Sequence, residues 1–172
     1  MGTFNTTSIV VYGDIEKNNS KWVTWFESSI ELYRTLDIKA NYIGIIGKSF
    51  SSGKILQLSR TESRLRKSLD TGEDISSISL YSLPEKFSQA AFDYDAYISR
   101  DAIGKHNHII LTLNEKFLTR ADINMIIEEL RKHINFVNGE VFEMYNTESP
   151  QFYAAKIKSA SSCKTLNVLK KF

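Results

Sequence analysis

The chain has 172 residues, 42% hydrophobic, 24% charged and 12% aromatic, with 22 Lys and Arg against 20 Asp and Glu for a formal net charge of +2. That balance fits one globular domain and excludes a disordered chain, a collagen-like chain and a disulfide-stapled miniprotein. No apolar run approaches the roughly 20 residues that span a bilayer, and the polar start Met1–Thr7 lacks the basic-then-apolar pattern of a secretory signal, so a cytoplasmic protein with no membrane partner is expected.

Ser8-Ile9-Val10-Val11-Tyr12-Gly13 is β-branched and aromatic, and reads as a buried strand. Asn18-Asn19-Ser20 supplies an N-cap for a helix over Lys21 to Leu36, in which Trp22, Phe26, Ile30 and Tyr33 line one face. Asn41 to Ile46 is a second strand, followed by a loop rich in Gly and Ser. Lys54 to Leu58 is either a short strand or the approach to a helix. Ser59-Arg60-Thr61-Glu62 has capping-box spacing and opens a helix with Leu65 and Leu69 inward, ending before Gly72. Ile75 to Leu83 is a strand closed by Pro84. Phe92 to Ile98 alternates as a strand and pairs with His106 to Leu113 through the turn at Gly104. Thr119 caps a second long helix, Arg120 to Val137, with Asn138-Gly139 as its stop. Glu140 to Tyr145 is a last strand.

Helices are too few to alternate with the strands, so a doubly wound parallel sheet is excluded. The expected fold is α+β: a single, mostly antiparallel or mixed sheet with two long helices packed on one face. Residues 1–158 form one domain, and residues 159–172 form a basic, mobile tail.

The charge is segregated. After Tyr153 there are five lysines and no acid, which leaves seventeen bases against twenty acids before it. Residues 38–72 are basic, and residues 73–101 carry six acids and two bases. The acidic stretch also holds Tyr81, Phe87, Phe92, Tyr94 and Tyr97. Outward tyrosines among acids suit a protein-binding surface, because aromatics anchor and acids steer a basic partner. The candidate partner-binding residues are therefore Glu73, Asp74, Tyr81, Glu85, Asp93, Asp95, Tyr97 and Asp101. The competing reading is an aromatic core with an acidic rim.

Other chemistry fits less well. The Gly47–Lys54 loop puts five residues between its glycines and Ile55 after its lysine, so both the spacing and the magnesium ligand of a P-loop are missing. His106 and His108 lie two apart and would share a strand face. They are the alternative site, for a small metal-dependent or phosphate-handling enzyme, and a third ligand would have to come from His133 or from acids such as Asp93 and Asp95. Arg60, Arg64, Arg66 and Lys67 could instead contact phosphates of a nucleic acid, but no nucleic-acid module surrounds them and acids follow at once. The single cysteine, Cys163, has no base in register. No catalytic residues, metal or cofactor are expected.

The opening strand Val10-Val11-Tyr12-Gly13, the amphipathic helix with Trp22 and Trp25, the stretch Leu65, Leu69, Gly72, and the late strand and helix over His108 to Leu113 and Ile123 to Val137 resemble immunity family fifty-two. This is one of the immunity families of bacterial polymorphic-toxin systems. The likeness covers residues 8–145. It implies a cytoplasmic protein that binds a cognate toxin domain stoichiometrically and blocks its active site, with a protein rather than nucleic acid as partner.

Overall fold

A computed structural model describes residues 2–50 and 53–172. Its strands are β1 (Asn5–Asp14), β2 (Tyr42–Gly47), β3 (Ile55–Gln57), β4 (Ile75–Ser82), β5 (Ala96–Asp101), β6 (His108–Asn114), β7 (Asn135–Tyr145) and β8 (Asn167–Lys171). Its α-helices are α1 (Asn19–Thr35), α2 (Leu58–Asp70), α3 (Ile123–Arg131) and the short α4 (Pro150–Ala154). The strands form one 8-stranded sheet in the order β3-β2-β4-β5-β6-β1-β7-β8, and every pairing is antiparallel. The α+β expectation holds, with the sheet wholly antiparallel.

Alternation along the strands gives the sheet two apolar faces. Ile9 and Val11, Ile43 and Ile45, Ile78 and Leu80, Ile98, Ile109 and Leu111 face the helices. Trp22, Trp25 and Phe26 of α1, Leu65 and Leu69 of α2, and Ile126, Ile127 and Leu130 of α3 cover them. Two hydrogen bonds fix α1 over β4: Trp25 Nε1 donates to the Ile78 carbonyl at 3.2 Å and Tyr33 Oη to the Leu80 carbonyl at 3.0 Å. The opposite face carries Val10, Tyr81, Tyr97, Ile110, Phe142 and Met144, closed over by Leu83, Tyr94, Tyr153, Ala154 and Cys163 from irregular segments and α4.

Local sequence accounts for the start of α1 but not of α2, which begins at Leu58 after Gln57 with no side-chain cap bond, ahead of the expected Ser59 capping box. The Asn18 side chain accepts from the Lys21 amide at 3.0 Å, so α1 begins where the Asn-Asn-Ser cluster places it. The third helix differs from expectation. It is capped by Asp122, not Thr119, and ends at Arg131 rather than Val137. The reason is tertiary. The ten residues of β1 pair with β7 from Asn5↔Tyr145 to Asp14↔Asn135, and that register draws residues 135–139 out of the helix. Val137 is accordingly 70% exposed rather than on a core stripe.

The C-terminal stretch also differs from the expected mobile tail. Residues 167–171 are strand β8, paired with β7. Gly139 and Phe172 exchange both backbone hydrogen bonds, at 2.8 and 3.0 Å, and the Phe172 ring stacks on Phe136 at 5.9 Å. Gly139 is thus a mid-strand residue and not a helix stop. A Cβ there would sit 2.6 Å from the Val10 carbonyl oxygen and the Phe172 ring.

At Gly13 the β1–β7 register shifts. A Cβ added there would meet the Asn135 carbonyl oxygen at 2.0 Å and its carbon at 2.8 Å. Both atoms are backbone, so relief requires the strands to part. Gly13→Ala should destabilise the fold by about 2 kcal/mol or more. Gly2→Ala, where no atom lies within 4 Å of the new Cβ, should be neutral. Equilibrium urea unfolding of the two variants checks this, and equal midpoints would contradict the steric account.

Candidate partner-binding surface

The structure separates the acids and aromatics that sequence puts in one stretch. Eight residues of β4 lie between Asp74 and Leu83, which at about 3.3 Å each sets the two ends of the stretch roughly 25 Å apart. Glu73, Asp74 and Asp101 lie at one end of the sheet, since Ser77 pairs with Asp101. Glu85, Asp93 and Asp95 lie at the other, where the Asp95 amide donates to the Ser82 carbonyl at 2.8 Å.

Tyr81 and Tyr97 do not face outward as expected. They are cross-strand partners on the second apolar face, their rings 4.8 Å apart and 9% and 8% exposed. Burial pushes both phenols above the ordinary tyrosine value, which keeps them neutral. The expected solvent face of Asp93 and Asp95 is also absent, because the strand begins at Ala96 rather than Phe92. Asp93 is buried in the preceding loop. Its carboxylate accepts from the Ser88 hydroxyl at 2.7 Å and from the amides of Ser88 and Gln89 at 2.8 and 3.0 Å. The Ser88 hydroxyl first, and then these amides, hold its carboxyl down at about 2.

Three of the remaining acids also have local work. The Glu73 carboxylate accepts from the Ser49 amide and holds the turn after β2. Asp101 accepts from the Ile103 amide at 2.9 Å. Asp95 pairs with Lys116 at 2.6 Å. Asp74 and Glu85 are exposed.

One area keeps acids and aromatics together at the surface. Asn41 exchanges two hydrogen bonds with Leu83, at 2.6 and 2.9 Å, and pins the start of the loop after β4. Beyond this pin, Phe87 packs edge-on against Tyr42 at 5.2 Å, and both rings are half-buried. A groove of about 320 Å³ runs beside them, lined by Asn41, Tyr42, Gln57, Ser59, Pro84 and Glu85. Two aromatic edges beside a groove that Glu85 lines offer anchoring area and negative charge together. Tyr42 is absent from the sequence-based set because its strand position alone does not distinguish a rim from a core.

The alternative sites come out differently. His106 precedes β6 and is exposed, whereas His108 is buried. His108 Nδ1 is 2.8 Å from the His106 carbonyl oxygen. Among the described residues no group of three or more His, Cys, Asp and Glu side chains could hold a metal ion. In the basic stretch, Arg66 pairs with Glu62 at 3.1 Å and Glu27 at 3.3 Å, and Arg64 bonds to the Ser49 carbonyl and lies over the Phe50 ring. In the Gly47–Lys54 loop, Lys48–Phe50 form a 3-10 turn, and Ser51 and Ser52 lie outside the described residues. Among the described residues no helix is long and apolar enough to cross a membrane.

No protein-family model matches the chain, and no curated protein does. The fold is similar to that of a solved structure, the Pseudomonas aeruginosa T6SS protein PA0821, with a TM-score of 0.59 at 14% identity over 87% of this chain and 43% of the other. This chain therefore spans less than half the length of that structure.

Two buried histidines set the acid side of stability. Burial is the largest cause lowering His108 and His133 below the ordinary value of 6.5. A group whose folded value is depressed binds its proton more readily when unfolded, so stability rises with pH across the interval between the two values. The histidine contribution is complete above about 6.5 and is lost as the pH falls through the depressed folded values. Asp93, Glu73 and Glu148, also depressed, add a second loss below the ordinary carboxyl values of 3.8 for Asp and 4.5 for Glu. Urea midpoints between pH 8 and pH 3 should fall in two stages. His108→Asn should flatten the first stage and leave the second intact.

Proposed function

We propose that this chain is an immunity protein, acting in the cytoplasm of the producing cell, that binds a cognate toxin domain one-to-one and occludes its active site. The observation that carries the reading is the likeness of its fold to a T6SS protein over most of the chain. It agrees with the likeness of residues 8–145 to an immunity family. The partner-facing surface on this reading is the loop end of the sheet, where Glu85 lines the groove beside the Tyr42–Phe87 pair. The aromatic edges enter the toxin, and the Glu85 carboxylate accelerates approach to a basic active-site cleft.

Co-expression with the toxin domain encoded beside it tests the reading. A one-to-one complex on gel filtration and survival of the expressing cell are expected; absence of both would overturn it. The surface has its own test. Glu85→Lys should slow association several-fold at low salt, with the difference shrinking as salt rises. Asp74→Lys, at the far end of the sheet, should leave the rate unchanged. Equal rates for Glu85→Lys and the parent chain would remove this surface and leave the toxin-binding reading to the first experiment.

A further inference from the structure

The helix-facing side of β5 carries a charge. Ala96, Ile98 and Arg100 occupy successive inward positions, and Arg100 is 1% exposed. Its guanidinium makes two hydrogen bonds, both to backbone carbonyls. Nε donates to His133 at 3.0 Å and Nη2 to Glu16 at 2.8 Å. Its carbon lies 4.4 Å from the centre of the Trp22 ring. None of these contacts carries a full negative charge. Desolvation lowers the guanidinium to about 10 and nearby Glu16 opposes that shift, so the group stays charged at neutral pH.

Three buried nitrogens, Arg100 Nη1, Trp22 Nε1 and His133 Nε2, have no hydrogen-bond partner among the described residues. All three residues are buried. His133 Nε2 is 3.8 Å from Glu129 Oε1, beyond hydrogen-bonding reach. Orphaned buried donors are rare, because each forfeits the water it left, and an uncompensated buried charge costs more. Arg100 and His133 border a cavity of about 40 Å³. Its lining includes Arg100, His133, Asn135, Lys21 and Lys132, with Asp14 and Glu16 at the mouth among the exposed residues. At roughly 10–15 Å³ for one water, that volume suits a few waters or one compact ion and is too small for a nucleotide or a sugar.

The geometry points to a binding site for one compact monovalent anion, of halide or formate size, held by Arg100 Nη1, with Lys21 and Lys132 (the latter also ion-paired with Glu129 at 2.5 Å) adding positive charge to a lining that includes Asp14 and Glu16. Bound there, the ion gives the buried guanidinium its missing counter-charge. It also couples β5 to the connection after β1 and the connection before β7, the two segments whose carbonyls Arg100 already holds. The site is remote from the loop end of the sheet and does not depend on the toxin-binding reading.

The test uses formate and bromide, with gluconate as the bulky reference ion at constant ionic strength. Replacing gluconate by formate should raise the melting temperature by about 3–5 °C, along a saturating curve. Tryptophan emission should change over the same concentration range, because Trp22 lines the guanidinium. A crystal grown in bromide should show an anomalous peak within hydrogen-bonding reach of Arg100 Nη1. Arg100→Met should lose the saturable rise. If that variant does not fold, Lys21→Ala with Lys132→Ala, both at exposed positions, should weaken formate binding by roughly threefold. Glu16→Gln should tighten it by removing a nearby negative charge. No saturable response in the parent chain, an ordered water in place of the bromide peak, or an undiminished response in both the Arg100 variant and the double lysine variant would overturn the proposal.

Discussion

Arg100 connects parts of the chain that sequence keeps far apart. Its guanidinium bonds the carbonyl of Glu16, just after β1, and that of His133, just before β7, while resting over Trp22 of α1. The inner position of β1 depends on these same two connections. β1 is the first strand of the chain, yet it sits between β6 and β7, and β7 arrives more than a hundred residues later. A sheet built this way pays a large loop-closure entropy before its central pairing forms, which slows folding. A charged side chain that donates only to correctly placed carbonyls is a selective latch for that arrangement. Stacking on indole recovers part of the cost of burying it.

The sheet has two apolar faces and unequal means of covering them. On one side, α1, α2 and α3 bring aliphatic and indole side chains in regular stripes. On the other, the cover is loop and a five-residue helix, which bring little apolar area per residue. Large aromatics make up the difference: Tyr81, Tyr97 and Tyr94 form one connected group and Phe142 with Tyr153 another. The tyrosines of residues 73–101 are therefore drawn inward, and the acids that accompany them organise loops. Asp93 is the clearest case, since its carboxylate closes the turn that brings Tyr94 onto the sheet.

Much of the fold is legible in the sequence where local signals and tertiary demand agree. Asn18 caps α1, the Ile/Val run of β1 is buried, and Pro84 follows the end of β4. Legibility fails where pairing overrides periodicity. Val137 continues the helical spacing of α3, but the register with β1 requires strand. It fails again at the C-terminus, where lysines at alternate and adjacent positions read as solvated tail although β7 has an edge to fill. At the proposed surface, Glu85 is among the residues expected from sequence and Tyr42 is not, because exposure of a strand aromatic is decided by what the chain folds over it. Arg100 did leave a signal: an arginine in phase with Ala96 and Ile98 is a charge on an apolar face.

The sheet edges narrow how a partner can engage. An open edge strand invites another strand to add to it. β3 is three residues long, too short to template much pairing. β8 carries Lys170 and Lys171 and meets β7 through a register shift at Val141/Phe142, and both charge and irregularity discourage strand addition. Neither edge is a good docking rail. Recognition by the proposed toxin-binding route then falls to side chains at the strand ends, where loops present both charge and shape. Of the two ends, the one near Glu73 and Asp101 uses those carboxylates to hold its own turns. At the other, a fixed aromatic pair stands beside a groove with Glu85 on its rim. An aromatic pair already held edge to edge loses little side-chain freedom on binding, which is where a rigid anchor gains affinity.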